Sequence, residues 1–534
     1  RTAGWRGPAA GQMAVDPRLR QGLLGSEDDE VKHGGQILDQ CEPCDDRQRE
    51  CKDTFWALLF FGTAAVVATL ALYSAVGRGS YFLVPGRFSF EIGAAAAVAV
   101  GGAMLFLALA RRHTVCVIWT ALLAFPALLV IAGLLLGGTY GIALVAIGVC
   151  LICCVHCCWK AHIPFTALLI QTAISVMQAH RGMLAISLLG AALSMSWCLL
   201  CASASLGLLV SHGASRGSRE GDYAAYFVQC LVLLWGSMVA FNACHVACCG
   251  VFGRWYFGRD QDSPVSRSTR TAFVHSFGSV CFGSFVVAFV RALEYLLKAL
   301  QREAREEGNM VMCIVACVVG AVISCIGDII EWFNKFAYVQ CALRGLGFVD
   351  AARATYALCT FSRCHMICAD SLVSTVAFFG ALLAGALGAV ALLLLGSHWV
   401  LVGAVVSLVV AMAALQPLES GVTALIVCWA ENPGALARRK PELAAEFARR
   451  GHDWDGNGGE VGFAVLQPQP GAVGGTAATP MVEMTARPPR QMAVTVPEGV
   501  MPGQLVQIHT PEGQTLEVEV PLGYGPGSQF LAAY

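Results

Sequence analysis

The sequence predicts an all-α polytopic membrane protein, a bundle of about ten transmembrane helices followed by a small C-terminal β-rich repeat module. Three observations predict it. Hydrophobic residues make up 56% of the 534 and charged residues only 13%, about half the share of charge in a soluble domain. Apolar runs of more than about eighteen residues recur, the length that a helix needs to cross hydrocarbon. After Phe447 the composition changes to Gly, Pro, Ala and short alternating stretches.

The central pair of runs sets the pattern. LVLLWGSMVAFNACHVACCGVFG opens at Leu231 and TAFVHSFGSVCFGSFVVAFV opens at Thr271, joined by a stretch with Arg254, Arg259, Arg267 and Arg270. Inside lipid every backbone N–H must be paired within its own segment, so each run reads as a helix. The same rule gives spans at Thr54–Val76, Ile92–Ala110, Val115–Leu136, Tyr140–Cys158, Met183–Val210, Tyr223–Phe252, Thr271–Leu297, Met310–Ile330, Ser371–Leu395 and Trp399–Ala430. Ile163–Met177 and Phe348–Cys364 have helical spacing with mixed polarity. They are expected at the inner face or as plugs of the bundle from below. The domain plan is a tail over 1–53, a membrane domain over 54–447, a flexible linker over 448–490 and a β-repeat module over 491–534.

Lys and Arg set the orientation. With both termini cytosolic, Arg111, Arg112, Lys160, Arg181, Lys335, Arg344 and Arg438–Lys440 fall on inner flanks, against a sparser outer set with Arg78, Arg87 and Lys298. The first fifty residues hold no short apolar core of the signal-peptide kind. The chain opens on Arg1, and Met13 is the expected start.

A net charge of −1 argues against nucleic acid as a partner. Most of the 24 cysteines lie in spans or at their ends, as in Cys153-Cys154, Cys157-Cys158 and Cys248-Cys249. Thiols at cytosolic ends stay reduced. Reversible acylation is one reading of them, and small apolar packing is the other. Cys41, Cys44 and Cys51 lack a fourth ligand for zinc. Asp453-x-Asp455-x-Asn457-Gly458 resembles the start of a calcium loop, but its twelfth position is Ala464 instead of Glu. Val496–Gly503 recurs as Val520–Gly527 around alternating stretches, a pattern of short strands. This module resembles appended Pro-Gly-Gln repeats; a partner for it is expected but its residues do not name one.

Glu419 is read as the one acidic residue deep within a span. At that depth a carboxylate costs on the order of 2.5–3.5 kcal/mol, so it faces a cavity or a partner. Pro417 precedes it and frees backbone carbonyls, so a cation or proton site is expected there, with a hydrogen-bonded structural acid as the alternative. Asn242 and His245 share one helical face and, with Gln229, are candidates for a polar path or for interhelical hydrogen bonding. An aromatic cage suits a cation whose charge is diffuse; Trp197, Tyr226, Trp235, Phe241, Phe282 and Phe285 are its candidates. Arg291 and Glu294 are spaced as a salt bridge. No Walker motif, nucleophile motif or His/Asp/Glu cluster is read at one depth, so neither an enzyme nor a cofactor is expected.

Several separated stretches resemble the choline transporter-like membrane proteins: Glu50-Cys51-Lys52-Asp53, GVFGRWYF from Gly250, SFGSVCFGS from Ser276, EWFNKFAYVQCALR from Glu331, and ESGVTALIVCWAENP from Glu419. They occur in the family's order over about Cys51 to Phe447, and the short first outer loop is similar to the fungal and protist branch. The resemblance implies ten helices, cytosolic termini, a plasma-membrane location and transport of choline or an ethanolamine-like amine by alternating access. For some members it also implies exchange against protons. Glu419 is then the expected counter-ion, with membrane lipids as surroundings. The competing class is a membrane scaffold or lipid-handling protein without solute transport.

Overall fold

Among the described residues, 10 helices are long and apolar enough to cross a membrane, and the chain is a multi-pass membrane protein. The structure, a computed structural model, describes residues 43–44, 49–78, 86–211, 219–260, 263–361 and 363–452, together with four strands between 491 and 533. The expected linker, the calcium-loop-like stretch and most of the repeat lie outside the described residues.

The helices are α1 (Thr54–Arg78), α2 (Gly86–Arg112), α3 (Thr114–Leu136), α4 (Gly138–Cys154), α5 (Ile163–Ala179), α6 (Gly182–Ser211), α7 (Arg219–Tyr256) and α8 (Pro264–Arg270). They continue as α9 (Phe277–Glu306), α10 (Met310–Arg344), α11 (Phe348–Phe361), α12 (Arg363–Leu394), α13 (Val400–Glu431), α14 (Pro433–Arg439) and α15 (Pro441–His452). Residues Arg1–Gly462 form one unit and Phe463–Tyr534 another. In the second, β1 (Gln491–Thr495) pairs antiparallel with β4 (Gln529–Ala533), and β2 (Leu505–His509) with β3 (Thr515–Glu519).

Lipid tails are as apolar as leucine, so helices in a membrane associate where small residues let backbones approach. Ala95, Ala99, Ala103 and Ala110, spaced by one or two turns, fall on one face of α2 and are fully buried. They meet α12, where Ala377, Ala381 and Ala384 are buried. α12 and α13 form an antiparallel hairpin on which α2 lies, while α7 contacts α6, α9, α10 and α13. Gly137 and Gly138, with φ of 62° and 64°, turn α3 into α4, a backbone that glycine adopts without steric cost.

The Glu50–Asp53 stretch is fastened beneath the bundle. Lys52 N–H donates to His275 O at 3.2 Å. Asp53 Oδ2 accepts from Ser279 Oγ at 2.6 Å and from Phe348 N at 2.8 Å. A side chain at Gly278 would bring a Cβ to 2.3 Å from Asp53 O, so that position of the Ser276–Ser284 stretch has to be glycine.

Three expected boundaries need correction. The eighth span does not stop at Ile330, because α10 continues for 35 residues to Arg344, about 52 Å. The seventh does not begin at Thr271; Thr271–His275 is a separate π-helical turn and α9 starts at Phe277. α12 begins at Arg363, eight residues before the expected ninth span. For α5 the structure decides between two expected placements. Phe165, Leu169, Ile170 and Ile174 on several of its sides are buried, and α2, α3, α12, α13 and α15 surround it. A helix with apolar residues on most of its sides is stable in such an interior, so of the two expected placements the one within the bundle fits, with Gln171 and Ser175 left on its exposed side.

Candidate functional site

Three charged residues come together inside the bundle where α10, α12 and α13 meet. Lys335 Nζ of α10 donates to Asp370 Oδ1 of α12 at 2.7 Å and reaches Ser374 Oγ at 3.4 Å. Thr423 Oγ1 donates to the same Asp370 oxygen at 3.3 Å. Glu419 of α13 is half-buried and within electrostatic reach of both Lys335 and Asp370. Among the described residues no hydrogen bond or ion pair engages its carboxylate. It lies twelve residues before the end of α13 at Glu431, about 18 Å along the axis.

Glu419 is therefore not the sole acidic residue within the spans. Asp370 is buried inside α12, and Asp328 and Glu331 lie within α10. The sequence reading missed Asp370 and Lys335 because it ended one apolar run at Ile330 and started another at Ser371. Each residue stood at the supposed margin of a span. Helices continue through charged positions when a partner on another helix compensates them.

His245 of α7 ties three helices together. Its Nε2 lies 3.0 Å from Lys335 O and its Nδ1 2.8 Å from Ser420 Oγ. A carbonyl oxygen only accepts, so Nε2 carries a proton, and in the neutral ring Nδ1 accepts from the serine hydroxyl. Asn242 Nδ2 donates to Ser284 Oγ at 2.9 Å, which lies 3.3 Å from the Tyr338 hydroxyl. Gln229 Nε2 donates to Ser205 Oγ at 2.5 Å. Each of the three residues considered for a polar path is thus engaged in a bond between helices.

The aromatic candidates are only partly brought together. Trp235 contacts Phe285, and Phe282 stacks on Trp56 of α1 with centroids 4.7 Å apart. Trp197 and Trp235 both contact Phe60 of α1. Their indole N–H groups donate to Val232 O and Cys281 O. These rings pack against one another, with Trp56 and Phe60 as members the sequence reading missed. Tyr226 is 40% exposed, and Phe241 offers its backbone carbonyl to Gln416.

A second charged cluster joins α9 to α10. Arg291 contacts Glu294 as the spacing predicts, and also Asp328 and Glu331 at 2.5 and 2.7 Å. Ser324, Asp328, Glu331 and Lys335 fall on one face of α10 by helical spacing. Asp328 and Glu331 are 68% and 54% exposed, so a polar face leads from the α9–α10 hairpin to Lys335. At the other end of α10, Arg344 is paired with Glu431, and Gln340 bonds to both. Arg49 donates to the carbonyls of Ala342 and Leu343, and Tyr256 to Asn432 O. No group of three or more metal-ligating side chains occurs among the described residues.

The chain is 25% identical over 305 residues to a CTL-like protein of Dictyostelium discoideum. It is 26% identical over 307 residues to Protein PNS1 of Mycosarcoma maydis, and 26% identical over 333 residues to Protein pns1 of Aspergillus fumigatus. These matches cover 55%, 53% and 57% of this chain. They span only 53%, 58% and 62% of the relatives' own lengths. The family model described as plasma-membrane choline transporter matches residues 142–434, the segment holding His245, Lys335, Asp370 and Glu419. That match covers more than half of the 534 residues, and the chain belongs to the choline transporter-like family of membrane transport proteins.

Proposed function

We propose that this protein carries choline or a related small organic cation, such as an ethanolamine-like amine, across a membrane by alternating access. One observation supports the reading above the others. Lys335 is bonded to Asp370, which leaves the Glu419 carboxylate beside them with no ion pair or hydrogen bond of its own among the described residues, one negative charge when it is ionised. A monovalent ammonium neutralises that charge, and a quaternary one needs no hydrogen-bond acceptor to do so. A proton neutralises it equally, so cation and proton compete for one carboxylate, which is the requirement for exchange.

In this reading His245 and Asn242 position the helices around Glu419. Trp197, Trp235, Phe282 and their partners form the packing that α1, α6, α7 and α9 slide on as access alternates. The paired Arg344 and Glu431 close the cytosolic end, and the polar face of α10 is the outer approach. The termini are cytosolic and the membrane is the plasma membrane. The C-terminal strands act as a β-repeat module with a partner of its own, separate from transport. Protein purified into proteoliposomes should take up labelled choline, and more so against an outward proton gradient. A folded protein that moves no choline or ethanolamine would favour a scaffold or lipid-handling role instead.

A further inference from the structure

We propose that the cysteines at the end of α4 are a site of S-acylation by long-chain fatty acyl groups. Cys150, Cys153, Cys154, Cys157 and Cys158 are all exposed. Cys244, Cys248, Cys249, Cys281, Cys341 and Cys428 are by contrast buried. Cys51, Cys116, Cys198, Cys317 and Cys325 are exposed as well but lie apart from one another along the chain, whereas the first five fall within nine residues of a single helix end. Cys248-Cys249, which the sequence groups with them, belongs to the interior.

The position of the cluster suits the modification. α4 runs into a π-helical turn, Val155–Trp159, then a short 3-10 turn, Lys160–His162. His156 lies 5.9 Å from Trp119 of the antiparallel α3, and α3 follows the basic end of α2 at Arg111 and Arg112. Trp, Lys and Arg at one level mark a headgroup region on the cytosolic side. α4 is also peripheral. Its principal helix neighbour is α3, and its buried residues are Gly141 and Gly148. The thiols therefore stand outside the bundle, where a membrane acyltransferase can reach them. A chain attached there returns into lipid beside the exposed Ile142, Ile147 and Val149.

The chemistry balances without an oxidant. A cysteine thiolate attacks the thioester carbonyl of a long-chain acyl coenzyme A. The new S–C bond forms, the bond to coenzyme A breaks, and the departing thiolate takes up the proton that the cysteine gave. One thioester replaces another. The side chains of Cys154 and Cys158, one turn apart, touch each other, so a disulfide is the competing fate of that pair. The proposal rests on the cytosolic placement of this end in the reading above, but not on transport.

The test uses the full chain expressed in eukaryotic cells. Free thiols are blocked with N-ethylmaleimide, thioesters are cleaved with neutral hydroxylamine, and the released thiols are tagged with a maleimide polymer. The expected result is a hydroxylamine-dependent shift of at least two tags. Replacing all five cysteines by serine should abolish it, and C157S/C158S alone should reduce it. Because the five positions are exposed, the variants should keep the detergent gel-filtration profile of the parent. No hydroxylamine-dependent shift would overturn the proposal, as would a pair released by dithiothreitol alone. Labelling of the cluster by a membrane-impermeant maleimide on intact cells would overturn it by placing this end outside. Choline uptake is not the readout, so loss of the transport reading leaves the outcome interpretable.

Discussion

Arg344 and Glu431 form a bidentate ion pair with side chains only 2% and 8% exposed. It joins the last residues of α10 and α13, the two helices that carry Lys335 and Glu419. Gln340 contacts both partners. Removing one member of a buried pair leaves an unpaired charge and costs about 3–5 kcal/mol. The pair therefore acts as a latch that holds α10 to α13.

Opening this latch should expose thiols that are now inaccessible. Cys341 and Cys428 precede Arg344 and Glu431 by one turn and are fully buried. In Glu431→Gln, both should react faster with a small maleimide applied from the cytosolic side, while exposed Cys51 keeps its rate. Unchanged rates at Cys341 and Cys428 would show that the latch is not a gate.

Glu419→Gln should greatly reduce choline uptake and leave the bundle folded. Glutamine keeps the shape and can still hydrogen-bond, but it neither balances a cation nor releases a proton. A lost charged contact of about 1.5–3 kcal/mol corresponds to roughly tenfold to hundredfold weaker cation binding. Uptake is measured against external pH and normalised to protein in the membrane. Wild-type uptake by this variant would sink the counter-ion role.

Lys335→Met should be more damaging than the double change with Asp370→Asn. The single change strands Asp370 and Glu419 as two like charges without their cation, whereas the double change leaves Glu419 alone, as now. The expected order for folded yield in detergent is parent, then double variant, then Lys335→Met, with choline binding recovered in part by the double variant. A double variant no better than Lys335→Met would mean that the pair is not a self-neutralising unit.

His245→Gln should lower thermal stability while leaving the shape of the uptake–pH curve unchanged. Both ring nitrogens are committed to Ser420 and to the Lys335 carbonyl, and losing buried hydrogen bonds costs about 1–3 kcal/mol. A shifted pH curve would instead make His245 a proton carrier.

The sequence by itself determined that the chain carries ten helices long and apolar enough to cross a membrane among its described residues. Hydrocarbon accepts no unpaired backbone group, so the apolar runs leave little choice of structure. It also pointed to Glu419, since a lone acid in an apolar run is costly enough to need a reason. The tertiary structure decided what that acid faces. Lys335 and Asp370 looked like margin charges because one run appeared to end at Ile330 and another to begin at Ser371, and only packing of α10 on α12 turns them into a buried pair. Packing likewise placed Ile163–Ala179 inside the bundle, engaged His245 and Asn242 between helices, and filled the aromatic cluster with Trp56 and Phe60 from the first span. Hydropathy along a chain records how each residue partitions into lipid. It holds no record of which helices are neighbours, and compensation between charges depends on that alone.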